Sequence, residues 1–165
     1  MRKLPFIAFV AAFSMNSFAA TLSGPSVDVD ASVDVTASSA ISASWVKVPA
    51  LQAGQHSIGT KIGSMEVSNV GANYGWVIYT DGSASTLEGG NTYYKFTHDD
   101  GSAIKAWVDF TNYSGITYGA GTGIGTGPAT FIPAQHASVD FSLPYEQTLK
   151  AGTYAATLSV AAYNN

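Results

Sequence analysis

Val27, Val29, Ala31, Val33 and Val35 alternate with Asp28, Asp30, Ser32, Asp34 and Thr36. Successive side chains of an extended chain point to opposite faces, so this run predicts a strand with one dry face and one wet face. The apolar phase persists on odd positions through Ala37, Ile41 and Ala43 to Trp45, with a junction at Ser38-Ser39, which predicts a second strand in step with the first. A strand near the front of a chain with a complete apolar face needs a groove, and the groove need not belong to the same molecule.

Strand signals continue along the chain. An apolar stretch runs from Ile58 to Val70, where Gly59 and Gly63 suggest a bulge or a close backbone approach. Tyr74 to Tyr79 is rich in β-formers and ends at the turn signal Asp81-Gly82, and Asn91 to His98 is closed in the same way by Asp100-Gly101. Ile104, Ala106, Val108 and Phe110 form one apolar face, and Val139, Phe141 and Leu143 another that Pro144 stops. A glycine-rich loop is expected from Ser114 to Pro128. Tyr154, Ala156, Leu158, Val160 and Ala162 share the last apolar face. No segment beyond the first residues carries a helical period, so an all-β sandwich or barrel is expected. No further apolar segment follows the last strand, whose outer edge is expected to stand uncovered.

The front of the chain changes the picture of where this fold works. Arg2 and Lys3, the apolar stretch Leu4 to Phe13, and small residues at Ser17 and Ala19 read as an export signal at 1–19. The organisation expected is a signal at 1–19, an N-terminal arm at 20–36 and one domain at 37–165. Without Arg2 and Lys3, five lysines and no arginine face eleven Asp and Glu, and the net charge moves from -4 to -6. An acidic surface without guanidinium groups argues against nucleic acid and anionic membranes as partners. With no cysteine, neither disulfides nor thiolate metal sites are available, so packing and strand pairing must hold the exported chain.

These residues resemble a subunit of chaperone-usher fimbriae, and most closely the SefA-type major subunits, which also lack cysteine. The run from Val29 through Val33, Val35 and Ala37 to Trp45 resembles the donor arm and first strand, and Gly152-Thr153-Tyr154 through Leu158 and Val160 to Asn165 resembles the closing strand. Gly152 stands fourteenth from the end, as a glycine does in many pilins; the penultimate residue is Asn164 rather than an aromatic, with Tyr163 one position earlier. The resemblance implies an incomplete immunoglobulin-like β-sandwich that lacks its final strand and is completed by a donor strand from another subunit. It implies a structural subunit of a bacterial surface fimbria that supports adhesion. Its partners would be identical or related subunits, a periplasmic chaperone, an outer-membrane usher and a host receptor, with no cofactor and no catalysis. On this reading Val27, Val29, Ala31, Val33 and Val35 form the donor face, and Ile41, Trp45, Tyr154, Leu158 and Val160 belong to the acceptor groove. Burying four valines at about 1.5 kcal/mol each gives roughly 6 kcal/mol, reduced by the costs of association.

Other chemistry reads weakly. Side chains two apart on a strand, such as Asp28 and Asp30, lie about 6.6 Å apart, and the series Asp28, Asp30 and Asp34 lacks the glycine and glutamate of a calcium loop, so it reads as a solvated face. The Gly119–Gly125 stretch lacks the lysine of a phosphate loop and the third glycine of a dinucleotide site. His56, His98 and His136 share no ligand spacing and read as ordinary surface or loop residues. Tyr74, Trp76, Tyr79, Tyr93, Tyr94, Trp107, Tyr113 and Tyr118 could present a sugar- or receptor-binding face, but read mostly as core and cross-strand partners. The Asn112-Tyr113-Ser114 sequon reads as coincidence. A tip or stand-alone adhesin binding a host glycan or protein is the alternative function, and a pure tip protein need not donate an arm. A glycosidase would need two convergent carboxylates, and no motif supplies them.

The exported chain is expected to begin at Ala20, since a cut one residue later would place bulky Phe18 where a small side chain is required. N-terminal sequencing of the exported protein checks this, and a start at Thr21 or beyond contradicts it.

Overall fold

A computed structural model of the chain describes residues 40–120 and 125–164. These lie within a compact unit, Ala37–Asn165. The donor-face residues Val27 to Val35 and the export signal fall outside the described residues.

The described chain is all-β. Its first sheet contains β1 (Ser42–Lys47), β3 (Lys61–Ser68), β10 (Ser138–Ser142), β7 (Ala103–Val108), β6 (Asn91–His98) and β12 (Tyr154–Ala155) in that spatial order, with β5 (Ser85–Glu88) also paired to β6. The second sheet runs β13 (Ser159–Tyr163), β4 (Gly75–Tyr79), β9 (Ala129–Pro133), β8 (Thr117–Gly119). A small pair joins β11 (Gln147–Leu149) to β2 (Gly54–His56). All the pairings are antiparallel.

Period-two patterning places the core. Ile104, Ala106 and Val108 on β7, Val139 and Phe141 on β10, and Tyr94 and Phe96 on β6 turn inward, where they meet Trp76, Ile78 and Ile132 of the second sheet in one cluster. Tyr94 is wholly buried, yet its hydroxyl lies 3.0 Å from the Ile78 carbonyl and 2.7 Å from the Thr130 hydroxyl. It thereby ties β6 to β4 and β9 across the sandwich, and burial pushes its phenol pKa upward. Thr92 adds a second tie, donating to the Ala129 carbonyl at 3.0 Å.

Several expectations need correction. Phe110 does not continue the β7 face. Asp109 accepts from the Thr111 N–H and starts a short 3-10 turn, Phe110–Asn112, which leaves Phe110 46% exposed. Asp81-Gly82 does mark the turn after β4, in the form of a 3-10 turn, Gly82–Ala84, leading into β5, and the tight turn to β6 is made by Gly89 and Gly90, both at positive φ. The short β5 and central β9 were not expected, since STLE carries little apolar signal and ATFIP follows directly on the glycine-rich stretch. Ile58, placed at the head of an apolar stretch, is 66% exposed because β3 begins only at Lys61. The last apolar face is split. β12 pairs with β6 in the first sheet and β13 with β4 in the second, so the chain changes sheets between Ala155 and Ser159.

Phe141 has no exposed surface and meets the rings of Trp45, Tyr94 and Phe96 at 5.2, 5.5 and 6.3 Å. Phe141→Ala is expected to cost about 3–5 kcal/mol of stability, read as a lower urea midpoint. A loss below about 1 kcal/mol would show that this cluster does not centre the core.

Candidate functional site

The outer edges of β1 and β13 carry the site. β1 pairs with β3 through the Trp45↔Met65 register, and β13 pairs with β4 through Val160↔Ile78. Neither strand has a backbone partner on its other side among the described residues. Although β1 and β12 stand at opposite ends of the first sheet, both border one groove, because twist and coiling bring the sheet's ends round toward each other. Trp45 on β1 accordingly reaches Phe96 on β6, with ring centres 5.7 Å apart.

The groove encloses about 490 Å³. Trp45, Met65, Phe96, Tyr154, Ala156, Leu158 and Val160 supply its apolar surface. An adjoining cavity of about 350 Å³ shares Trp45, Lys47, Phe96, Thr153 and Tyr154 and extends it toward Leu149 and Gly152. Trp45, Tyr154, Ala156, Leu158 and Val160 are only partly buried, each resting on the core with one side still open.

Two local features shape the banks. Gly63 lies next to Met65 on the inward face of β3, and a Cβ there would come within 2.1 Å of the Trp45 ring. The bare backbone at Gly63 is what lets the indole lie flat enough to reach Phe141; the close approach expected at this glycine is therefore made by a side chain. On the opposite bank, the Lys150 backbone N–H donates to the Tyr154 hydroxyl at 2.8 Å. The unpaired stretch Ala156–Leu158 then carries Leu158 past the groove as the chain changes sheets.

Four of the five groove residues named from sequence, Trp45, Tyr154, Leu158 and Val160, line this one cavity. Ile41 does not; it is partly buried against the core just before β1. Met65 and Phe96, which floor the groove, were missed, although both sit on the inward phase of their strands and could have been found from the alternation of β3 and β6. No carboxylate, histidine or thiol lines the cavity. What it offers is apolar surface between two unpaired strand edges, the arrangement that takes up an extended segment by strand addition.

The aromatic residues weighed as a receptor face divide. Trp76 and Tyr94 are buried in the core, Tyr93 stacks on Trp107 at 5.9 Å, and Tyr113 packs edge-on against His136. Tyr74 is 56% exposed and rests against Tyr163. His98 is no ordinary surface residue, its side chain being 10% exposed and in contact with the groove bank. Among the described residues no group of three or more His, Asp or Glu is arranged to hold a metal ion.

A family model described as SEF14-like adhesin matches residues 3–165. No curated protein matches the sequence significantly. Among solved structures, the crystal structure of the E. coli Hda pilus minor tip subunit, HdaB, is similar with a TM-score of 0.59 at 13% identity, over 77% of this chain and 85% of that one. The crystal structure of the Salmonella SafD adhesin is similar with a TM-score of 0.59 at 14% identity, over 76% of this chain and 86% of that one. At such identity the likeness shows the fold, the immunoglobulin-like sandwich of pilus subunits.

Gly63→Ala is expected to push the Trp45 ring off the groove floor, at a cost of about 1–3 kcal/mol. Tryptophan fluorescence should shift with the loss of stability, and an unchanged spectrum together with unchanged stability would contradict the close approach.

Proposed function

The chain belongs to the SEF14-like adhesin family, and from that premise we propose that it is a structural subunit of a surface fimbria assembled by donor-strand complementation. The subunit is exported through the periplasm, where a chaperone lends a strand to the groove. At the outer-membrane usher, the N-terminal arm of the next subunit displaces that strand, and the fibre grows by repetition. Adhesion follows from the many copies displayed at the cell surface.

The observation that carries this reading is the open groove, where Trp45, Tyr154, Leu158 and Val160 stand half-buried between two strands with free edges. Its apolar lining calls for an occupant with alternating apolar side chains, which is what the sequence from Val27 to Val35 offers. Backbone groups along both edges gain partners from the same occupant. A tip or stand-alone adhesin would need the groove but not the arm, so the intact apolar face of the arm favours a subunit that both accepts and donates. The groove's lining is mainly apolar, which suits binding and assembly.

Val33→Asp is expected to abolish surface fibres while leaving a chaperone-bound subunit in the periplasm. The carboxylate would enter an apolar groove without a partner, at a cost of several kcal/mol, and about 1.5 kcal/mol of apolar burial would be lost. Asp30→Ala, on the wet face, should leave fibre yield within about twofold. Comparing chaperone complex with surface fibre separates assembly from folding; normal heat-resistant polymers from Val33→Asp would refute donor-strand exchange through this arm.

A further inference from the structure

His98 closes β6 directly opposite Tyr154 of β12, the strand that begins the far bank of the groove. The two rings lie 4.9 Å apart. Nε2 of His98 sits 3.0 Å from the Ala151 carbonyl, and a carbonyl can only accept, so Nε2 bears a hydrogen and donates. A Cβ on Gly152 would fall 2.3 Å from this same Nε2, and Gly152 has a φ of +137°. The segment Ala151–Tyr154 is thus fitted around the imidazole, with Gly152 leaving the space that the ring fills.

The other ring nitrogen faces two groups of a single residue. Nδ1 lies 3.2 Å from the Asp100 backbone N–H and 2.9 Å from Asp100 Oδ1. A neutral ring accepts from the N–H; a ring protonated on Nδ1 donates instead to the carboxylate, in a charge-assisted and stronger bond. Asp100 is held ready for this by Ser102, whose N–H and hydroxyl donate to Oδ1 at 2.9 and 2.6 Å, and by Lys150 Nζ, 2.6 Å from Oδ2. The backbone of that same Lys150 holds the Tyr154 hydroxyl.

We propose that His98 is a positioning residue for strand exchange, a proton-sensitive latch that fixes the Tyr154 bank of the groove when Nδ1 is protonated and loosens it when the proton leaves. The inference rests on the strand-acceptor reading of the groove and adds its regulation. Two routes carry the effect to Tyr154, the direct ring contact and the chain Asp100, Lys150, Tyr154 hydroxyl. The titratable and charged groups around the imidazole are Asp99 and Asp100 on its own turn, and Lys150 and Tyr154 from the facing segment. The bond to Asp100 and then the bond to Ala151 raise the proton affinity of His98 above the ordinary histidine value, outweighing burial. A raised value in the folded state means that the latch is fully engaged below the ordinary histidine pKa of 6.5 and is lost as the pH climbs through the raised value. The bank is therefore firm in mild acid and slack in mild alkali.

The test uses the full chain carrying Val33→Asp, separated from the chaperone so that neither its own arm nor a lent strand fills the groove, and a labelled peptide of residues 25–37 of the natural sequence. Release of the peptide is chased with unlabelled peptide at pH about 6 and about 8.5, and is expected to be about fivefold faster at the higher pH. His98→Gln, which keeps a donor for Ala151 but does not titrate, should still bind and should bring the ratio close to one. Equal release at both pH values, or an undiminished ratio in His98→Gln, overturns the latch while leaving the groove reading intact. Failure of the peptide to bind at either pH removes the groove reading, and the latch with it. Amide exchange at Tyr154 and Ala155, corrected for its intrinsic pH dependence, gives a measure that needs no substitution. Protection should fall between the two pH values, and constant protection overturns the proposal.

Discussion

One seam of this sandwich cannot be closed by the strands that the structure describes. Across the core the two sheets bury their inner faces against each other. Along the groove, β1 and β13 each turn an unpaired edge outward, and Trp45, Leu158 and Val160 each keep one side open. Covering a lone apolar patch needs only another apolar patch, but covering this seam needs an extended segment with backbone donors and acceptors in step with its side chains. That double requirement restricts the occupant far more than hydrophobicity alone would.

An open seam is useful only if its banks do not collapse onto each other. The cross-sheet bonds of Tyr94 and Thr92 hold β6 to the second sheet from within, with no water to compete for them. The aromatic cluster of Trp45, Phe96 and Phe141 then fixes the height of the floor, since stiff rings fill space without the adaptability of a methionine. Gly63 and Gly152 make matching allowances on the two sides, one for an indole and one for an imidazole. Each glycine therefore belongs to the groove through the ring it admits, and neither serves merely as a turn.

Much of this was legible from alternation. The strands β6, β7 and β10 stand where period-two patterning put them, because each has one buried face and the register cannot slip without turning that face to water. Trp45, Tyr154, Leu158 and Val160 were recognisable for the same reason. The change of sheet inside the last apolar run was not, since side chains keep their alternation across a bend while the backbone changes partners. β9 was hidden by its neighbours: a largely buried interior strand shows little alternation, and glycines precede it closely. The inward phase of Met65 and Phe96 is contained in the alternation of β3 and β6, but their place in the groove depends on how far the sheet coils, a property of the whole sheet that no local window contains. The placement of His98 escaped for a similar reason, as its partners at Ala151 and Gly152 are more than fifty residues away.

The groove also bears on how a fibre of such subunits would hold. Units joined in series fail at the first joint to open, so the relevant quantity is the rate at which a seated strand leaves rather than its average occupancy. A strand held by side chains alone could peel away one pocket at a time. A strand that also completes two backbone ladders must break paired hydrogen bonds at each step while exposing the apolar floor beneath. Rigid banks raise that barrier because they cannot follow the departing strand and recover part of the lost contact. The same rigidity would make spontaneous exchange slow, so an incoming arm has to gain a foothold before the resident strand has fully left. Whatever loosens one end of one bank therefore acts on the exchange rate more strongly than on the final stability of the joint, and the segment from Ala151 to Tyr154 is tied to the sheets there by side chains and a two-residue strand.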